Sequence, residues 1–446
     1  MDVSSLRRSS TSMSEAGEDG ASVAPPLAPG GGPVVHYAWA RPGAKVWPSY
    51  PTSLSDDDDD ANLPEPQPLP PRERKKRAKE WDKAFKKALY KAGVRYVHSD
   101  LEPVAQDSRF PDDHCNLAYR MIHEDLAARA LAGAVANNRC LVSINLEGNK
   151  LYPAGAQALC EALRGNTRLR RLNLARTHIG PEGVAAVAAL LAEEDPDSGL
   201  PALQSLGLAD NNVNGDAARL LAAALCRGGR GLQGLDLSRN MSLHDSGLVD
   251  FAEGAAPGDA PPLLRRLRLD WCARGEDALQ AAAMILASFP ELRELSLRHV
   301  TVWAPGPDGN DSEYAAQAVS RLGRAVAQAR NLRILCLADT DLGPAGAAAL
   351  EQGVREGGGL TALVSLDVGG NPLGGAGVLR VADLVRASGT LEHVCLRGVR
   401  APAEALWELM RAGGVRDAGG DAWTWVPRPV RGVMHRFMYD DQQDSD

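Results

Sequence analysis

Long apolar runs are missing. Nowhere in the 446 residues does an uninterrupted hydrophobic stretch approach the roughly 18 residues that span a bilayer, so membrane insertion is not expected. The first thirty residues also lack the apolar centre of a secretory signal, and the expected setting is cytoplasmic, with nuclear or ciliary and cytoskeletal assemblies compatible. No CxxC pair occurs among the seven cysteines, which are odd in number and widely scattered. That spacing argues against a disulfide framework or a zinc site and predicts reduced, mostly buried thiols. GxxxxGK[ST], HExxH, GxSxG and the kinase signatures are absent too, so no catalytic residue, metal or cofactor is expected and the chain reads as non-enzymatic. His114, Cys115 and His123 in "DDHCNLAYRMIH" come nearest to a ligand cluster; without a fourth ligand they are read as cap residues. A net charge of -8 is modest for this length and gives no global case for nucleic acid.

What is present divides the chain. Residues 1–70 are rich in Ser, Gly and Pro and hold the acidic run "SDDDDD" at Ser55 to Asp60, a composition that predicts a disordered leader. Aromatics interrupt it in "HYAWARP" and "VWPSYP", where a docking motif competes with stray residues in a solvated tail. Residues 71–93 include "RERKKRAKEWDKAFKKALYKAG", with Trp81, Ala84, Phe85, Ala88 and Leu89 at helical spacing. This predicts a basic amphipathic helix. It suits packing on the following domain, a nuclear-import signal in "KKRAK", or a basic surface for tubulin, RNA or acidic lipid. Residues 94–139 are expected to form an N-terminal cap, in which Glu124 to Cys140 looks like the helical half of a repeat without its strand. Residues 413–446 break the period and read as a C-terminal cap with an acidic tail.

From 140 to 412 one template returns nine times: Leu, two residues, Leu, one residue, Leu, two residues, then a polar or small residue. Copies begin at Leu141, Leu169, Leu203, Leu232, Leu264, Leu292, Leu332, Leu363 and Leu391, so the basic period is about 28 residues with insertions. The last two apolar positions are two apart and point to one side of a short strand. The polar position that follows (Asn149, Thr177, Asn211, Asn240, Cys272, Thr340, Asn371) can bond the turning backbone and build a ladder from copy to copy. Val300 and Val399 interrupt that ladder. Six residues on comes a small residue and then an Ala, Leu and Val pattern such as "GVAAVAALLAEE", which predicts a helix behind each strand. The expected fold is α/β: a horseshoe-shaped solenoid of about nine repeats, with a parallel sheet on the concave side and helices on the convex side.

A 28-residue period with "LxxLxLxxN" followed by a full helix resembles the ribonuclease-inhibitor-like leucine-rich repeats, a group that includes Ran GTPase-activating proteins and the sensor arrays of NOD-like receptors. The resemblance covers about residues 125 to 412 and implies a protein-binding scaffold. It also implies, as a function of a different class, GTPase activation toward a Ran-like small GTPase. Ran GTPase-activating proteins typically carry a long acidic segment after the repeats, whereas here the acidic run precedes them.

Residues between and after the strand leucines should line the concave face. There Arg239, Arg266, Arg268 and Arg298 gather in the middle three copies, with Trp271 and His299 in the same row as Arg239. Asp236, Asp270 and Glu294 partly neutralise them. The longest repeat inserts "VTVWAPGPDGNDSEYAAQ" between strand and helix, a rim loop that includes Trp303. Arg and Trp dominate binding hot spots, so the expected partner is a protein with an acidic or mixed-charge surface.

Overall fold

The computed structural model describes residues 38–40, 114–119, 132, 142–195, 197–255, 262–275, 277–301 and 313–412. The leader apart from 38–40, the basic helix, most of the N-terminal cap, the loop with Trp303, and residues 413–446 lie outside them.

Each template copy becomes a three-residue strand: β3 (Ser143–Asn145), β4 (Arg171–Asn173), β5 (Ser205–Gly207), β6 (Gly234–Asp236), β7 (Arg266–Arg268), β8 (Glu294–Ser296), β9 (Ile334–Cys336), β10 (Ser365–Asp367) and β11 (His393–Cys395). They pair in chain order, in parallel and in register. The central residue of each strand is at most 2% exposed, because it and the next apolar residue face the core while the flanking two face the open side. Behind them lie α1 (Tyr152–Leu163), α2 (Gly180–Ala192), α3 (Gly215–Leu225), α4 (His244–Gly254), α5 (Asp277–Ser288), α6 (Glu313–Gln328), α7 (Pro344–Glu356), α8 (Gly374–Ala387) and α9 (Ala403–Ala412). In α2, Pro181 and Glu182 suit the first turn, and Val184, Val187, Ala188, Leu190 and Leu191 are buried. Gly183 must be small: a Cβ there would come within 2.6 Å of the Ile179 Cβ. This is a leucine-rich repeat solenoid, one strand and one helix to the repeat.

The polar ladder forms. Asn211 is 1% exposed; its Nδ2 donates to the carbonyls of Leu174 (2.6 Å) and Ala209 (3.2 Å), and its Oδ1 accepts from the Thr177 and Ile179 amides. Asn240 and Asn371 repeat the pattern. Cys272 keeps only a donor's share, its thiol lying 3.0 Å from the Leu237 carbonyl. Burial pushes that thiol up, well above the usual thiol range.

Two strands extend the sheet beyond the nine copies. β2 (His114–Asn116) pairs in parallel with β3, so the segment before Glu124, read from sequence as lacking a strand, supplies one. At the other end β1 (Ala38–Ala40), from "HYAWARP", pairs antiparallel with β11, setting Trp39 opposite Val394.

Candidate functional site

The residue just before each ladder position has positive φ in every described repeat: Tyr119, Gly148, Arg176, Asp210, Arg239, Trp271, His299, Asp339, Gly370 and Gly398 lie between 54° and 72°. A left-handed turn costs a non-glycine residue about 1 to 2 kcal/mol. In return it aims the amide at the next repeat, as in Arg239 N–H to the Asp270 carbonyl (2.6 Å) and Trp271 N–H to the Arg298 carbonyl (2.9 Å). The same turn throws these side chains into one row along the rim of the open face.

In that row the rings of Trp271 and His299 stack with centroids 3.8 Å apart. Arg239 comes one repeat earlier and is exposed; Arg298 is exposed beside His299. Arg298 Nε donates to Asp339 Oδ2 (3.2 Å), and His299 Nε2 stands 3.4 Å from the same oxygen. Burial holds the imidazole below its ordinary pKa; Asp339 opposes this, while Arg298 and Arg239 reinforce it.

Arg266 and Arg268 are half-buried on β7, with Gly234 and Asp236 in register on one side and Glu294 and Ser296 on the other. Asp270, expected to be a surface counter-charge, is half-buried and already engaged by its own chain. Its Oδ1 accepts the Arg298 amide (2.9 Å) and the Ser296 hydroxyl. Burial pushes its carboxyl above the usual range; the Ser296 hydrogen bond and Arg268 pull it back, and Asp236 adds to the rise. Among the described residues the side chains of Arg239 and Arg268 make no hydrogen bond or ion pair.

The structure thus brings Arg239, Trp271 and His299 into one row, with Arg298 next to His299 and Arg266 and Arg268 on β7, while Trp303 lies outside the described residues. Sequence reasoning missed Tyr119. It occupies the same turn position, donates to Glu147 Oε1 (2.6 Å) and accepts from Arg176 (3.2 Å), its ring crossing Gly148.

Residues 137–160 and 165–188 match the family model described as Leucine Rich repeat. The mouse ribonuclease inhibitor is 26% identical over 248 residues, 49% of this chain and 51% of that protein. The chain carries leucine-rich repeats and is similar to ribonuclease inhibitor. Mouse NACHT, LRR and PYD domains-containing protein 12 is 32% identical over 197 residues, 39% of this chain and 18% of that protein. This leucine-rich repeat protein therefore spans from about a fifth to about half of the length of these relatives. A leucine-rich repeat-containing protein of Legionella pneumophila is similar in structure, at 18% identity over 65% of this chain and 96% of that one, with a TM-score of 0.37. Arrays of this family are generally protein-interaction scaffolds. No described helix is long and apolar enough to cross a membrane.

Proposed function

We propose that the array binds a protein with an acidic or mixed-charge surface through the open face of β6 to β8 and the row of Arg239, Trp271 and His299. Arg266, Arg268 and Arg298 supply further donors, and Trp303 in the rim insertion is assigned to the same contact. One observation carries this reading: two arginines, Arg239 and Arg268, whose side chains make no hydrogen bond or ion pair among the described residues, share the face away from the helices with an aromatic stack. Charge of one sign beside a flat apolar surface is the chemistry of a protein hot spot, since guanidinium groups pair with carboxylates in two-pronged fashion and rings supply contact area. Arg298 plays a smaller part, because Asp339 already holds it. The leading role is that of a non-enzymatic scaffold; no described residue favours GTPase activation over it.

The test is affinity capture from native lysate with the intact chain and with an Arg268→Glu, Trp271→Ala double variant whose circular dichroism is unchanged. A set of captured proteins that disappears with the folded variant supports the reading. An unchanged set sinks it.

A further inference from the structure

The open face is not evenly covered with side chains. From β4 to β7 the first strand position holds Arg171, Ser205, Gly234 and Arg266, and the third holds Asn173, Gly207, Asp236 and Arg268. Gly207 and Gly234, on adjacent strands and both buried, put no side chain of their own between two strands that carry arginine. Neighbouring strands are about 4.8 Å apart, so the trough between β4 and β7 is about 14 Å wide.

Ser205 forms its floor. The residue is 3% exposed, and its hydroxyl has no hydrogen-bond partner among the described residues. That oxygen lies 3.5 Å from where a Cβ of Gly234 would sit, and Arg266 Nε and Nη2 lie at the same distance from that point. The missing side chain therefore lets the guanidinium lie down over the sheet beside the hydroxyl. Leaving a buried hydroxyl unpaired costs about 1 to 3 kcal/mol, which an acceptor placed here would recover. Asp236 does not reach the Ser205 hydroxyl: it sits in the third-position row and accepts the Ser238 amide (2.9 Å).

We infer that this trough seats one carboxylate side chain of an acidic partner segment. The carboxylate pairs with Arg266 as the guanidinium lifts from Gly234, accepts the Ser205 hydroxyl, and has Arg171 on its other flank. The inference rests on the proposed use of the open face and names its anchor point. It adds Arg171, Ser205 and Gly234 to the contact.

The experiment is fluorescence anisotropy of a labelled oligoglutamate peptide titrated with the full-length chain at low and physiological salt. Ser205→Ala and Gly234→Val are the test variants. Gly234 has no positive φ and its added carbon would meet neighbours only at van der Waals distance, so the fold should survive; Ser205→Ala removes the hydroxyl alone. Each variant is expected to weaken binding about tenfold, the loss of a hydrogen bond to a charged group. Arg268→Glu, outside the seat, tests the wider face. If Arg268→Glu abolishes binding while Ser205→Ala and Gly234→Val leave it intact, the face binds acid but the seat is refuted. If the peptide fails to bind wild-type and Asp56–Asp60→Ser chains alike, seat and face both fall. If it binds only after Asp56–Asp60→Ser, the chain's own acidic run is the occupant and the assignment to a partner is overturned.

Discussion

Trp271 and His299 stand in the same left-handed turn of consecutive repeats, and that shared conformation stacks their rings at 3.8 Å. Around the imidazole are Asp339, Arg298 and Arg239, whose competing charges, together with burial, set its titration.

Acid should therefore weaken this part of the array. The folded-state pKa of His299 lies below its ordinary 6.5, so the folded chain binds this proton less readily than the unfolded chain. Its contribution to stability is present above the unfolded pKa and is lost as pH falls through the folded value. Thermal unfolding followed from pH 7.5 to 5 should fall more steeply for the wild type than for His299→Gln. Parallel curves would contradict the assignment.

Asp270 works in the opposite direction. Its folded pKa is raised, chiefly by desolvation, so its contribution is present at low pH and is lost as pH rises through the folded value, leaving a partly desolvated carboxylate at neutrality. Asp270→Asn should raise the Tm at pH 7.5 and leave it little changed near pH 4. A lower Tm at pH 7.5 would show that the hydrogen bonds to Ser296 and Arg298 outweigh the desolvation.

The ladder should be unequal. Asn211→Ala leaves the Leu174 carbonyl and the Thr177 and Ile179 amides without this partner, for an expected loss of about 3 kcal/mol in urea unfolding. Cys272→Ala removes a weak thiol donor and accepts nothing from the preceding repeat, so it should cost about 1 kcal/mol. Equal losses would mean that side-chain volume, not hydrogen bonding, is what the position supplies.

Helix packing is tightest between α6 and α7. A Cβ at Gly353 would run into the Ser320 carbonyl and one at Gly323 into that of Leu350, backbone that cannot yield locally. Gly353→Ala should destabilise by about 1 to 3 kcal/mol. Gly343→Ala, with open space at the start of α7, should be close to neutral, and chemical denaturation of both separates close approach from a general intolerance of substitution.

The solenoid was legible in the sequence because burial and hydrogen bonding both repeat with the period: Leu172, Leu206 and Leu235 mark the core, and Asn211 and Asn240 mark the ladder. β2 escaped because Asp112 and Cys115 occupy two of its leucine positions, leaving Leu117 alone to announce it. The row of Arg239, Trp271 and His299 could be read from spacing, since equal repeat positions share one backbone conformation. The pairing of Arg298 with Asp339 could not: the partner is 41 residues away, across the longest insertion. Nor could the engagement of Asp270, which accepts the Ser296 hydroxyl and the Arg298 amide from the next repeat.

The left-handed turns have one further consequence. Glycine satisfies that conformation at Gly148, Gly370 and Gly398, and seven other residue positions keep a side chain there against the steric preference. Exchange among side chains at these points leaves core and ladder untouched. The row is therefore a display that can be rewritten one letter at a time, so a repeat array of this kind can change its partner without renegotiating its fold.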